Sequence, residues 1–496
     1  MAAGGRESIP SSSPAALGFL LLALVLGSVR FLWPGDVPFR LDETLVVRMA
    51  AKANENAVLG VHSVATPRST SGPVPVWIYQ AVLASHVSFF TLWWLKVSIF
   101  TAALFYAGLR LLRSLPFLRP ETLILFGLSP YLWFYSRDLW DNSWEIPLSA
   151  VALSSYLGFC CRPNRRDMLL TLVALTLGLL THLMMLAPLL GIAVHFVLFH
   201  RAWGRRHTGF LLWVGAACGV VASPYLDYLL RNPNLADLSV PHPQLWLRYV
   251  SGAANALLAP RYFMLIGFDY LVGSFWWLPP PEVPLGLRVI VPIAFAVSGI
   301  AALYFFIGLR EAYRCVRRAY EAHHWDTKAE LLSLFVLIYL AHVAIGGLKQ
   351  LGDFPHYLNA LWLVIFVFVS LGITVMWEEK RWRRSYWVYA LCLWIGLLYV
   401  VGNLHLHSGT RYRRYGPTLE NQLAVADGLC RYPIDTPLVR ELSETETFPE
   451  TLDTLRMLRC AHKEPDPSLR GRRLRIGYVE PANPRDGRIA LFESPE

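Results

Sequence analysis

Charge is scarce in this sequence. Asp, Glu, Lys and Arg make up 16% of 496 residues, whereas 55% are hydrophobic and the mean hydropathy is +0.40. A soluble chain of this length cannot hide so much apolar surface, which leaves a polytopic membrane protein. Charges at mid-span are almost absent, and no repeat of one half of the chain is found in the other. A transporter or lipid flippase, the rival class, is expected to show both, with helices broken in corresponding places. The first apolar run, Leu17 to Trp33, lacks a small-residue cleavage site before the polar loop and reads as a retained signal anchor. No organelle signal appears, which points to a bacterial plasma membrane.

What is present is aromatic and basic. Aromatics reach 13%, with 18 Trp, many at the ends of apolar runs, as interfacial belts require. The net charge of +10 comes from short basic clusters between apolar runs, so it reads as a topology signal and not as a nucleic-acid stripe. The apolar runs give eleven candidate spans: Leu17–Trp33, Phe90–Leu112, Glu121–Tyr135, Ser143–Cys160, Met168–Leu180, Met184–Phe199, Phe210–Leu230, Val289–Leu309, Leu331–Gly346, Leu358–Trp377 and Tyr386–Gly402.

The fifth and sixth are separated only by Thr181-His182-Leu183. One helix over both would be about 48 Å long, against about 30 Å of hydrocarbon. Their flanking loops, Arg162–Arg166 and Arg201–Arg206, are both basic and should both be cytoplasmic, which requires a hairpin with His182 near its outer turn. The same rule places the N-terminus inside and the C-terminus outside. The outer side then receives Pro34–Ser88, Ser136–Asn142, Asn232–Leu287, Lys349–Tyr357 and everything after Gly402. This divides the chain into a membrane domain, 1–402, and an external tail or small cap, 403–496. The tail holds Cys430 and Cys460, as a disulfide or as two free thiols. Its last thirty or so residues read as loosely ordered.

The outer face gathers the polar residues. Asp42-Glu43 follows the first span by eight to nine residues, and suits either a catalytic base or the first turn of a helix. Gly72-Pro73 opens an apolar stretch too short to cross, which predicts an interfacial helix. Arg137, Asp138 and Asp141 crowd a loop between two spans, either snorkelling or forming a second acidic site. Arg261 lies in a long loop whose basic groups suit lipid phosphates. Lys349, His356 and Tyr357 offer donors for an oxyanion or a phosphate. No Cys/His cluster with zinc spacing lies on this face, so no metal ligand set is assigned; a divalent ion between Asp42 and Asp138 or Asp141 stays open.

The order of these pieces resembles the GT-C membrane glycosyltransferases, in particular the protein O-mannosyltransferase and lipid A aminoarabinose transferase families. The residues that carry the resemblance are Leu41-Asp42-Glu43, Gly72-Pro73, Arg137-Asp138 with Asp141-Asn142, Thr181-His182 and His356-Tyr357. The Trp-Trp-Asp signature of oligosaccharyltransferases is missing, since Leu278 follows Trp276-Trp277, and no Asp-x-Asp stands in the first loop. The resemblance implies an all-α GT-C fold and inverting transfer of one monosaccharide from a polyprenyl-phosphate donor to a lipid, glycan or protein acceptor. It implies Asp42 as general base beside Glu43, with Asp138 and Asp141 as further catalytic acids. Arg137, His182, Arg261, Lys349, His356 and Tyr357 then serve substrate and phosphate.

Overall fold

The computed structural model describes residues 14–39, 41–52, 61–62, 70–84, 89–231, 245–263, 285–348, 355–409, 417–441, 449–460, 463–480 and 487–494. The first apolar run forms α1 (Pro14–Gly27) and ends in a 3-10 turn at Ser28–Phe31. The first loop then contributes two short helices, α2 (Leu41–Lys52) and α3 (Val74–Ala84), which pack on each other. Both segments are helical, as the first-turn acids Asp42-Glu43 and the short apolar stretch after Gly72-Pro73 led one to expect. A two-stranded ladder of β1 (Val61–His62) and β2 (Thr70–Ser71) lies between them.

The membrane part continues with α4 (Phe89–Ser114), α5 (Leu125–Leu128), α6 (Pro130–Arg137), α7 (Glu145–Cys161), α8 (Arg165–Leu179), α9 (Leu186–Phe199), α10 (Arg201–Arg206) and α11 (Thr208–Arg231). After these come α12 (Leu245–Leu258), α13 (Leu285–Glu321), α14 (Thr327–Leu348), α15 (Trp362–Met376) and α16 (Lys380–His407). Among the described residues, six stretches are long and apolar enough to cross a membrane: Pro14–Phe31, Phe90–Ser114, Thr208–Asp227, Thr327–Leu348, His356–Met376 and Lys380–His407. The count of eleven goes beyond what helix length alone supports.

The expected span Glu121–Tyr135 is not one helix. It is broken into a 3-10 turn at Pro120–Ile124, then α5, then α6. Pro130 cannot donate a backbone hydrogen bond and holds Ser129 extended, while the Ser129 hydroxyl accepts from Leu132 N at 3.2 Å and starts α6 afresh. The expected break at Thr181-His182 is present, with α8 ending at Leu179 and α9 starting at Leu186. Another difference lies in α13, whose 37 residues make a rod about 55 Å long. The basic cluster from Arg310 is therefore mostly helical extension and not loop. It packs on α15 through two small residues: a Cβ on Gly308 would meet Phe368 O at 1.8 Å, and one on Gly372 would meet Tyr304 O at 1.9 Å.

Beyond α16 the tail folds. Helix α17 (Leu419–Leu429) and α18 (Pro449–Cys460) pack together beside a sheet in the order β3 (Leu438–Arg440), β4 (Arg473–Tyr478) and β5 (Ile489–Ser494). β3 and β4 pair parallel, β4 and β5 antiparallel. Within the last thirty or so residues, expected to be loosely ordered, Arg473–Tyr478 and Ile489–Ser494 are strand, because Leu474, Ile476 and Ile489 bury against Val425, Leu429 and Leu452. This small unit is stitched to the first loop. Leu419 N donates to Val37 O at 2.8 Å, Gln422 to Phe39 O at 3.1 Å, and the Thr44 and Thr451 hydroxyls meet at 3.0 Å.

Cys430 and Cys460 form a disulfide that joins α17 to α18 across a sequence separation of 30. Closing a loop of that length restricts the unfolded chain by about 3–4 kcal/mol in the chain-entropy model. Replacing both cysteines by serine is expected to make the tail protease-sensitive at lower temperature while the membrane helices persist, read by limited proteolysis across a thermal ramp.

Candidate active site

The site is built on the two helices of the first loop. Asp42 and Glu43 stand in the first turn of α2; Glu43 is buried, and the Asp42 side chain lies outside the described residues. Helix α3 is fastened to the turn between α8 and α9. Gly72 N donates to Thr181 O at 2.8 Å and Val74 N to Leu180 O at 3.2 Å. Only glycine permits this approach, since a Cβ on Gly72 would sit 1.7 Å from Leu180 O. The Gly-Pro and Thr-His pieces of the sequence, more than a hundred residues apart, are thus in direct contact.

Tyr79 carries α3 into the acidic loop. Its hydroxyl donates to Leu139 O at 2.8 Å and accepts from Trp144 Nε1 at 3.1 Å. Beside it, Lys96 of α4 and Asp138 form an ion pair at 2.8 Å in which both side chains are fully buried. The Lys96 ammonium also bonds the Asp138 carbonyl and the Ser143 hydroxyl. It lies in the field of three carboxylates, Asp138, Glu43 and Asp141. Burial pushes the Asp138 carboxyl up to about 6, with Lys96 opposing the rise. Its Oδ2 is buried with no hydrogen-bond partner among the described residues.

A second pair extends the acidic centre. Glu145, buried at the start of α7, meets His182 Nδ1 at 2.9 Å and feels Asp141. A carboxylate on one imidazole nitrogen fixes the tautomer and ring orientation of the other. Glu43, Asp138, Asp141 and His182 are therefore linked through Lys96 and Glu145, neither of which was singled out in the sequence. A lone lysine within an apolar run, Trp94-Leu95-Lys96-Val97, was the available signal.

Arg137 was expected to serve substrate and phosphate. The structure gives it a different task. It is buried across the faces of Trp133 and Trp93, at 4.8 and 5.5 Å, and donates to Trp33 O at 2.6 Å and Asp36 O at 3.4 Å. Trp33 adopts a left-handed backbone, φ 46°, which an aromatic residue takes only under constraint. Its ring stacks on His405 at 4.0 Å, and His405 Nδ1 meets Asp36 Oδ2 at 2.8 Å. Burial raises the Asp36 carboxyl, with His405 and then Arg137 pulling it down. This node ties the first loop to the end of α16.

The remaining candidates come in from the late loop. A 3-10 turn at Pro355–Leu361 lies against both the Asp141–Trp144 and the Leu183–Met185 turns. Asn359 donates to Asn142 O at 3.0 Å and accepts from the Tyr131 hydroxyl. The His356 ring lies 4.7 Å from Trp140 and 4.2 Å from Tyr357, which places both residues on the rim of the acidic loop. Lys349 lies outside the described residues. Arg261 has its backbone in the turn Ala259–Tyr262, and its side chain lies outside the described residues.

No family model matches this chain, and no curated protein matches it by sequence. The fold does have a known counterpart. The crystal structure of ArnT from Cupriavidus metallidurans in the apo state superposes with a TM-score of 0.52 at 12% identity, over 97% of this chain and all of that one. The chain has the ArnT-like GT-C fold. The structure of the same Cupriavidus protein bound to undecaprenyl phosphate gives a TM-score of 0.49 at 12% identity, over 98% of this chain and all of that one. At this identity the likeness is one of fold. Within the ArnT-like fold, Glu43, Asp138, Asp141 and His182 fall around one place.

Two outcomes test this geometry. Lys96→Met leaves the Asp138 carboxylate buried without its cation and is expected to destabilise the protein by about 3–5 kcal/mol. Adding Asp138→Asn to that variant should restore part of the loss, measured as melting temperature in detergent. Gly72→Ala forces α3 off the Leu180 carbonyl and should lower stability by about 1–3 kcal/mol, as overpacking does.

Proposed function

We propose that this chain is a membrane glycosyltransferase that moves one monosaccharide from a polyprenyl-phosphate donor to an acceptor at the outer face of a bacterial plasma membrane. The observation that carries this reading is the convergence of Glu43, Asp138, Asp141 and the Glu145–His182 pair on one buried centre, within an ArnT-like fold. Undecaprenyl phosphate is the lipid seen on the ArnT of Cupriavidus, and a polyprenyl phosphate is the chemically matching carrier here.

In the proposed reaction the acceptor hydroxyl or amine forms a bond to the anomeric carbon as the bond from that carbon to the phosphate oxygen breaks, with inversion. Asp42 takes the acceptor proton, within the 2.6–3.2 Å or so that general-base transfer requires. Glu43, one residue on and buried, sets the field in which Asp42 works. The leaving group is a phosphate monoester, already a stable anion, so it needs donors and positive charge more than a general acid. His182, oriented by Glu145, and the rim pair His356 and Tyr357 are assigned to it, with Arg261 and Lys349 as the cations. Arg137 is assigned to positioning, because it braces the loop that carries Asp138.

The reading also fits the membrane. The lipid tail stays in the bilayer while its phosphate meets the interfacial helices α2 and α3. In this assignment the tail domain, from about 403 onward, lies outside with the C-terminus, and its disulfide suits an oxidising compartment.

The test is transfer from a radiolabelled polyprenyl-phosphate sugar into membrane extract. Asp42→Asn is expected to lower transfer by about 10²–10⁴-fold, the usual contribution of a general base. Equal transfer by both proteins would remove Asp42 from the role, and no transfer from any sugar donor would remove the enzyme reading. Glu145→Gln should lower the rate less while leaving the fold intact. The rate should fall as pH drops through about 6, where protonation of Asp138 dissolves its pair with Lys96. Asp138→Asn should erase that acidic limb.

A further inference from the structure

A second cluster of ligand-bearing side chains lies at the other end of α7. Cys160 is near the last turn of that helix, about 22 Å from Glu145 at 1.5 Å per residue. His195 belongs to the last turns of α9, and His200 follows its end. All three are buried, and the Cys160 sulfur and one nitrogen from each imidazole lie within 4.8 Å of one another. Glu330, in the first turn of α14, brings Oε1 to 3.3 Å from His200 Nε2. That nitrogen makes no hydrogen bond of acceptable geometry although His200 is 94% buried, from a relative exposure of 6%.

The geometry suits co-ligation better than hydrogen bonding. Nitrogen and oxygen ligands at about 2.0–2.1 Å from a tetrahedral zinc are themselves about 3.3 Å apart. The second shell is also in place. His195 Nε2 meets the Glu330 carbonyl at 3.0 Å and donates to it, which leaves Nδ1 with its lone pair. The Tyr156 hydroxyl now meets that lone pair at 3.0 Å and also bonds Cys160. A backbone carbonyl on the far nitrogen is the usual support for a metal-bound histidine. Phe159 and Phe196 wall the site off. One thiolate and one carboxylate balance a divalent cation, so the loaded site carries no net charge.

We propose that Cys160, His195 and His200 bind a single zinc ion, which displaces the Tyr156 hydroxyl from His195 Nδ1 and draws in the Glu330 carboxylate beside His200 as fourth ligand, so that α7, α9 and α14 are clamped together. Binding releases the Cys160 proton to solvent, since the thiolate is the ligand. The site sits beside the basic segments Arg162–Arg166 and Arg201–Arg206, which the charge bias assigns to the reducing cytoplasm, where thiols persist. It is distant from the acidic centre and stands independently of the transferase reading.

The experiment uses the full chain purified in detergent without chelator. Elemental analysis after desalting is expected to give one zinc per chain. Exchange with cobalt(II) should give the near-ultraviolet thiolate-to-cobalt band and the strong visible bands of a tetrahedral site. Cys160→Ser should remove the thiolate band and weaken zinc binding at least tenfold, while Cys161→Ser keeps both. His200→Gln should weaken binding without abolishing the thiolate band. Zinc should raise the melting temperature of the unmutated chain and of Cys161→Ser. If Cys160→Ser does not fold, the cobalt spectrum of the unmutated chain decides alone. Substoichiometric zinc, a cobalt spectrum without a thiolate band, or unchanged binding in His200→Gln would overturn the assignment.

Discussion

The fully buried pair of Lys96 and Asp138 is the constraint around which the acidic centre and the helices that meet there are arranged. An ammonium and a carboxylate taken out of water lose several kcal/mol of hydration each, which their mutual attraction offsets only with further hydrogen bonds. The chain supplies these from several elements: the Ser143 hydroxyl and the Asp138 carbonyl, with Tyr79 and Trp144 closing over them. Glu43 and Asp141 add negative charge around the same cation. Meeting these demands draws α2, α3, α4 and the loop after α6 to one point, and that point is where the chemistry is assigned.

Around this pair the structure separates bracing from chemistry. Arg137 looked like part of the site because it adjoins Asp138 in sequence. Its guanidinium instead lies between two indoles and reaches the carbonyls of Trp33 and Asp36, so it holds the exit of the first span. Neighbours in a strand or extended turn face opposite ways, and Arg137 is the last helical residue while Asp138 is already extended. The tail takes part in the same bracing through Val37, Phe39 and Thr44. A segment that adds no span therefore helps to fix the helix bearing Asp42 and Glu43.

Much of this was legible from the sequence, for reasons that can be named. The spans at Phe90, Thr327, His356 and Lys380 follow from uninterrupted apolar length. The short helix α3 follows from an apolar run too short to cross, and the break at His182 from basic loops on both flanks. The gathering of Glu43, Asp138, Asp141 and His182 followed from the expected topology, which puts them all at helix ends of one side. Illegible were the members whose residue type carries no local message. Glu145 reads as an ordinary first-turn acid and Asp36 as a loop acid; each gains meaning only from His182 and His405, which lie 37 and 369 positions away.

The sequence by itself determined class and the chemical inventory, because hydrophobic length and residue type act locally and need no partner. It could not determine pairing. Whether an acid faces water, a lysine or a histidine depends on contacts between distant segments, and those are decided by packing. The break of the third apolar run shows the same limit, since Pro130 marks a possible stop but only the packed structure shows Ser129 restarting the helix. Tertiary structure alone turned the tail's cysteines into a clasp, its last residues into strands, and a scattered set of acids into one centre around a buried lysine.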